Sequence, residues 1–343
     1  MATKQFGIGI VGLGMALQPH ALAIRDLEEA GRVRCLGGFS PSGDRRAGFA
    51  ARWGWPVFDR LEALLNAPGL DLVLVLTPPG AHLPVAERVA TAGKHLLVEK
   101  PLEIDLARAE ALVAMADRAG VTLGVVFQHR WRPAALRLAE ALAAGELGDL
   151  LSASATIRWW RDAAYFAQAG RGMRARDGGG VLLTQAIHTL DLLLHLAGPV
   201  ARAFAFARTS PLRAIDTEDI VAASLEFASG AIGTLDATTV ARPGFPERIE
   251  LAGTKGSALL VAERLELHRE GARPEILDHG SAGGGGADPM AFDHGPNRAM
   301  LAALLDAIEA GRPPPNAGAS GLPVQRLITA LLRSAAEGVA LRP

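Results

Sequence analysis

A chain of 343 residues, 49% of them apolar, is too long for one ordinary core and ample for two, so two domains are expected. Its 35 basic and 36 acidic residues leave a net charge of -1 with no run of one sign, which excludes the basic footprint that nucleic acid would need. Charged residues, glycine and proline interrupt the apolar stretches before the roughly 20 residues of a membrane helix, so no span is expected.

Cys35 is the only cysteine. That excludes an internal disulfide and a cysteine-based zinc site, and it fits a reducing, cytoplasmic compartment with the thiol as a small buried hydrophobe. No metal site is expected. Near the start, Lys4, the apolar stretch 6–17 and Ala21-Leu22-Ala23 imitate a secretion signal. Gly7, Gly9, Gly12 and Gly14 argue against it, being too many for the helix such a leader requires.

From residue 6 to about 124, short β-rich runs alternate with helical patterns, the rhythm of βαβ crossovers in a parallel sheet. Strands are predicted at 6–11, 33–39, 72–76, 95–98 and 121–125, with helices at 21–30, 45–53, 84–92 and 105–119. After a helix at 134–144 come consecutive strands at 150–160, 200–208, 220–227, 231–239 and 248–252, which favours a mostly antiparallel sheet. An apolar helix at 181–196 interrupts them, and helices at 297–310 and 322–337 close the chain. The glycine run within 281–287 reads as a surface loop. The fold class is therefore α/β: an N-terminal doubly wound parallel sheet of Rossmann type over residues 1–125, and over 126–343 an α+β domain with a large, mostly antiparallel open sheet. Its C-terminal helices are free to pack back on the first domain.

Two glycine patterns compete in the first turn. Gly7-x-Gly9-x-x-Gly12 matches the dinucleotide fingerprint literally but leaves too little room for its strand. Gly12-Leu13-Gly14 follows a strand and precedes a helix, the context in which glycine admits a pyrophosphate to a helix N-terminus. Leu17 stands where a third glycine would be. The second strand ends in Gly38-Phe39-Ser40-Pro41-Ser42, with no carboxylate for an adenosine ribose hydroxyl until Asp44. Its hydroxyls, with Arg45 and Arg46, suit a 2'-phosphate, which favours NADP over NAD; the competing reading has these arginines simply covering an exposed helix.

Thr77-Pro78-Pro79 with His82, and Glu99-Lys100-Pro101, fall at the carboxyl edge of the parallel sheet, where open α/β sheets bind ligands. Further on, Asp177-Gly178-Gly179-Gly180 leads into a helix with Thr184 and His188 one turn apart and Asp191 on the same stripe. Ahead of it, Arg158-Trp159-Trp160-Arg161, Tyr165 and Arg171 combine stacking surfaces with fixed donors suited to a sugar ring or a carboxylate; an interface or a wet surface strand is the competing reading.

Taken together, Gly12-Leu13-Gly14-Met15-Ala16 with His20, Thr77-Pro78-Pro79 with His82, Gly93-Lys94-His95, Glu99-Lys100-Pro101, Gln128-His129-Arg130-Trp131, and Gly178-Gly179-Gly180 leading to His188 and Asp191 make the chain resemble the Gfo/Idh/MocA family of nicotinamide-dependent oxidoreductases. The order covers nearly the whole chain. The resemblance implies an NAD(P) cofactor lying between the two domains, held by residues 12–16, Ser40, Arg45, Thr77, Pro78, His82, Glu99, Lys100 and Gln128. It implies that Lys100 contacts the substrate hydroxyl and relays its proton, that Glu99 faces the nicotinamide side, and that His188 is the acid/base. It also implies a homodimer or homotetramer formed through the open sheet.

One departure stands out: many family dehydrogenases carry aspartate four residues before the catalytic histidine, where this chain has Thr184. It is assigned to substrate contact with Tyr165 and Arg171. The reading is a dehydrogenase of a sugar, cyclitol or related hydroxylated small molecule. A cofactor-binding sensor without turnover and an NAD-dependent glycosidase of the same family are the alternatives.

Overall fold

The run Phe6–Val11 is buried at all six positions, as a central strand of a sheet covered on both faces must be. The computed structural model describes residues 4–280 and 293–343, so the glycine run within 281–287 lies outside the described residues. The chain divides into two units, Met1–Val126 with His294–Leu322, and Phe127–Asp293 with Pro323–Pro343. The first unit thus takes in a segment from near the C-terminus as well as the N-terminal residues.

In the first unit six strands, β1 (Phe6–Val11), β2 (Val33–Phe39), β3 (Val57–Phe58), β4 (Leu70–Val75), β5 (His95–Val98) and β6 (Leu123–Val125), form a parallel sheet in the order β3-β2-β1-β4-β5-β6. The order reverses between β1 and β4, which makes their carboxyl ends the switch point where doubly wound sheets take ligands. The crossovers are α1 (Leu17–Glu29), α2 (Gly43–Trp53), α3 (Leu61–Leu65), α4 (His82–Thr91) and α5 (Leu106–Ala119). Helix α1 starts earlier than its periodicity suggests because Pro19 falls in its first turn, where a missing amide proton costs nothing. The short β3 and α3 were not predicted, being too brief for a period to show.

The helix Gly295–Glu309 packs on α1, where Arg32 reaches Asp306 at 2.6 Å and Glu309 at 3.1 Å. Further along, Asn316 exchanges backbone and side-chain hydrogen bonds with Val125 at the edge of β6.

The second unit is built on an eight-stranded sheet in the order β14-β13-β12-β11-β7-β10-β9-β8, antiparallel except where β7 meets β10. The strands are β7 (Leu150–Arg158), β8 (Val200–Arg208), β9 (Ile220–Phe227), β10 (Ile232–Thr238), β11 (Arg248–Gly253), β12 (Gly256–Val261), β13 (Arg264–Arg269) and β14 (Glu275–Asp278). The helices of this unit are α6 (Pro133–Ala143), the single turns α7 (Ala163–Phe166) and α8 (Arg174–Asp177), α9 (Ile187–Ala197) and the final helix Leu322–Glu337.

Sequence periodicity misses β12 to β14. Strands β13 and β14 are heavily charged, β12 is a short run opened by glycine and serine, and the β12–β13 turn puts Ala262 in the left-handed region (φ 48°) with no glycine or asparagine to announce it. Burial alternates along β7, with Ala153, Ala155 and Ile157 inward, and α9 packs against β7 and β11. The stretch Arg174–Ala197 is long and apolar enough to cross a membrane, but 83% of its apolar window is buried inside the protein, as expected of a core helix.

Candidate functional site

The residues that sequence assigned to the cofactor lie in the first unit, apart from Gln128. The chain leaves β1 at Gly12, whose φ of 101° is one that side chains resist, and a Cβ there would come within 2.5 Å of the Leu76 backbone. Glycine is therefore required for the turn to lie flat between the ends of β2 and β4, where the Gly12 amide donates to Phe39 O at 2.9 Å. Leu13 is buried against Gly38, and Met15 is exposed. A Cβ at Gly14 would meet only Arg45 Nη1, 3.7 Å away, so the turn has an open face beneath an exposed guanidinium.

Ser40 is buried, with its hydroxyl accepting from the Ser42 amide, and Ser42 caps α2 by accepting from the Arg45 amide. Arg46 folds back to donate to Ser40 O at 2.6 Å and Pro41 O at 3.2 Å. Of the groups that sequence offered to a 2'-phosphate, Arg45 keeps its charge beside the turn, while Arg46 is committed to backbone.

At the ends of β4 and β5, Thr77 Oγ1 is buried without a hydrogen-bond partner, an orphaned group of the kind a bound cofactor would satisfy. These features fit a dinucleotide. His82, placed by sequence at the cofactor, is fully buried, with Nε2 2.9 Å from Thr77 O and Nδ1 3.0 and 3.1 Å from the carbonyls of Pro101 and Leu102. Burial lowers its pKa, against the pull of those carbonyls. It is a brace joining the loop after β4 to the loop after β5.

Behind that second loop Glu103, also fully buried, accepts from the amides of Leu83 and Ile104 and pairs with Arg108 at 2.7 Å. Glu99 is held as firmly. Its Oε1 lies 2.8 Å from His20 Nε2, on α1, and its Oε2 accepts from the Lys100 amide at 2.9 Å. Burial would raise this carboxyl, but the His20 hydrogen bond and the neighbouring Lys100 outweigh it and hold the pKa below the carboxylate norm. The helix after the cofactor turn is thus tied to the peptide that carries Lys100. His20 appeared in sequence only as a motif companion, because a contact across 79 residues leaves no mark on spacing.

In the second unit, the turn Gln128–Trp131 and α9 surround His188, the residue that sequence assigned to acid/base work. His188 is buried, its ring stacked on His129 (centroids 4.7 Å apart, planes at 23°) and set edge-on to Phe127 at 6.0 Å. Beside it Arg130 grips the buried Asp191 through two bonds, Nε to Oδ2 at 2.7 Å and Nη2 to Oδ1 at 2.5 Å, with its guanidinium over the Phe127 ring. Burial pushes the Asp191 carboxyl up to about 6 in spite of Arg130. Gln128 is buried, and its Oε1 lacks a hydrogen-bond partner.

The glycine run forms the entry to this helix. A Cβ on Gly180 would overlap Glu218 O at 1.8 Å, so only glycine lets the Glu218 carboxylate reach the Gly180 and Leu182 amides, both at 3.1 Å. The segment Leu182–Ala186 is then a π-helix, and the regular one-turn stripe from Thr184 to His188 expected from sequence is altered. Thr184 Oγ1 lies 2.7 Å from Gly180 O and 2.5 Å from Gln185 Oε1, and Gln185 Nε2 donates to Tyr165 OH at 3.0 Å. Tyr165, Arg171, Thr184 and Gln185 line one concavity. Arg171 and Arg161 sit over the Tyr165 ring at 5.0 and 5.7 Å. The structure therefore brings together Tyr165, Arg171 and Thr184, and adds Gln185 and Glu218, which sequence reading overlooked.

Comparison with known proteins agrees with both halves. The domain described as "Oxidoreductase family, NAD-binding Rossmann fold" matches residues 6–127, and the "GFO/IDH/MocA C-terminal domain" matches residues 135–259. D-apiose dehydrogenase of Paraburkholderia graminis is 30% identical over 98% of this chain and 89% of its own, and inositol 2-dehydrogenase of Rhizobium meliloti is 26% identical over 96% of each. Among solved structures, the WlbA dehydrogenase of Bordetella pertussis in complex with NADH and UDP-GlcNAcA superposes with a TM-score of 0.86 at 26% identity, over 99% of both chains. Levoglucosan dehydrogenase in complex with NADH and levoglucosan, at 22% identity, shares the fold with a TM-score of 0.88 over 99% of both chains. With both domains matched in order across these residues, the chain belongs to the Gfo/Idh/MocA family of oxidoreductases.

Proposed function

We propose that this oxidoreductase transfers a hydride between NADP and a secondary alcohol or ketone of a sugar, cyclitol or related hydroxylated small molecule. The observation that carries the reading is His188: a buried imidazole clamped by two aromatic rings, on a helix that continues directly from the π-helical segment whose Thr184 and Gln185 line the Tyr165–Arg171 concavity. Relatives named for apiose and inositol point to the same substrate class.

Bound NADP supplies the redox chemistry as hydride acceptor or donor. Residues 12–16, Arg45, Thr77, Pro78 and Gln128 would hold it. Glu99, locked by His20, fixes the peptide from which Lys100 contacts the substrate hydroxyl. His188 takes the hydroxyl proton at a ring nitrogen in oxidation and returns it in reduction. Tyr165, Arg171 and Thr184 orient the polyol. The test is turnover by the purified enzyme with a panel that includes D-apiose, inositol and levoglucosan; no turnover with any polyol or keto sugar would refute the reading.

The preference for NADP rests on Arg45 beside the turn and on the absence of a carboxylate at the end of β2, and it departs from the NADH held by the solved relatives. A charged hydrogen bond is worth about 1.5–3 kcal/mol. Arg45→Ala is thus expected to weaken NADPH binding roughly 10- to 100-fold and NADH binding less than about twofold. Equal losses for the two cofactors, read by fluorescence titration, would remove the phosphate assignment.

The outward face of the eight-stranded sheet carries Ser154, Ala222, Ser224 and Thr234 at its centre, flanked by the exposed Phe206 and Ile232. Small residues at the centre, with the ion pairs Arg158–Asp236 and Arg202–Glu226 and apolar flanks around them, suit a second copy of the chain. Sedimentation is expected to give a dimer or tetramer, and Phe206→Glu with Ile232→Glu to give smaller species. A wild-type monomer at all concentrations would contradict this.

A further inference from the structure

Of the two aromatic rings set against His188, the nearer is another imidazole. His129 is as buried as His188, and the two faces meet at 4.7 Å and 23°. An aromatic face of any kind would pack there, but an imidazole also takes a proton in the range where an alcohol dehydrogenase must hold its base. We infer that His129 is a positioning residue for His188 and that the two imidazoles take up protons as one coupled pair. The inference rests on the reading of His188 as the acid/base.

The geometry gives the reason. The stack fixes the His188 plane from one side and Phe127 fixes it from the edge, so the ring cannot turn away from its task. One charged ring can lie against a neutral one, but two charged rings face to face repel with little water to screen them. The pair therefore takes its two protons in separated steps.

Among the described residues, charged groups near the pair are themselves paired. Arg130 is bound to Asp191. Around the small cavity that His129 lines with Thr189, Arg132 holds Glu247 at 2.7 Å and Glu263 at 2.9 Å, with Arg248 at the rim. Strand β7 contributes only Ala153, Ala155 and Ile157 on its inward face. Two titratable groups therefore stand beside His188, Asp191 with its carboxyl raised to about 6 and the stacked His129, and His188 accepts the alcohol proton most readily when His129 is neutral.

Full-length protein labelled with ¹³C at histidine Cε1 and titrated without ligand tests this by NMR, in wild type, His129→Phe and His188→Phe. In wild type the His129 and His188 signals are expected each to move in two steps. In His129→Phe, which keeps a ring but no titration, His188 should move in one step with its midpoint raised by at least about half a pH unit. His188→Phe should simplify the His129 curve in the same way, which keeps the question open to test if one variant fails to fold. A His188 curve unchanged by His129→Phe, or a His129 curve unchanged by His188→Phe, overturns the inference. Loss of the acid/base reading shows differently, as unchanged turnover in His188→Ala, with the NMR coupling untouched.

Discussion

Lys100→Ala and His188→Ala are each expected to lower turnover by on the order of 10²–10⁴, the range for a positioned acid/base group, while NADPH binding stays within a few-fold of wild type. The expectation for His188 follows from its burial and its two-sided clamp, which give one ring orientation to the group proposed to move the proton. That for Lys100 follows from the chain of constraints behind it. His20 holds Glu99, Glu99 holds the Lys100 amide, and His82 and Glu103 pin the loop that follows. Residues fixed to that degree serve geometry, so removing the amine should reduce kcat more than it raises KM for the cofactor. Wild-type rates in both variants would show that the proton is handled elsewhere.

The second large effect is on stability. Asp191→Ala is expected to cost about 3–5 kcal/mol, because it leaves the Arg130 guanidinium in a largely buried site without its bidentate partner. The intact pair contributes far less than that, since burial opposes the charge, as the Asp191 carboxyl raised to about 6 indicates. The sign of the pH dependence follows. A carboxyl whose pKa is higher folded than unfolded contributes stability at acid pH and loses it as pH rises from the unfolded value near 3.8 to about 6. Urea unfolding should show that downward component in wild type and not in Asp191→Asn. A cost below about 1 kcal/mol for Asp191→Ala would mean that water readily reaches Arg130.

The parallel sheet was legible because its signals are local: apolar strands, helical periods and glycines at the turns. The motif residues from Gly12 to Lys100 could be placed on the carboxyl edge for the same reason. What escaped were relations between distant residues and departures from ideal geometry. His82 has the position of a ligand contact, and only its bonds to the carbonyls of Thr77, Pro101 and Leu102 reveal a brace. The Thr184–His188 stripe assumed 3.6 residues per turn, and the π-helix over Leu182–Ala186 broke that assumption. The Arg130–Asp191 pair, 61 residues apart, and the His129–His188 stack exist only once the chain is folded. The strands Arg264–Arg269 and Glu275–Asp278 were hidden by their charge, and Gly256–Val261 by its brevity and by a following turn that uses alanine where glycine is usual.

The central claim is hydride transfer between NADP and a polyol with His188 as the acid/base. Its most direct test is absorbance at the reduced-nicotinamide band, with wild type and His188→Ala stripped of cofactor and given NADP or NAD with a panel of sugars and cyclitols. Reduction of NADP by wild type with at least one polyol, and its loss by about 100-fold or more in the variant, is the expected result. Failure to bind either cofactor, or turnover that survives in His188→Ala, would contradict the account.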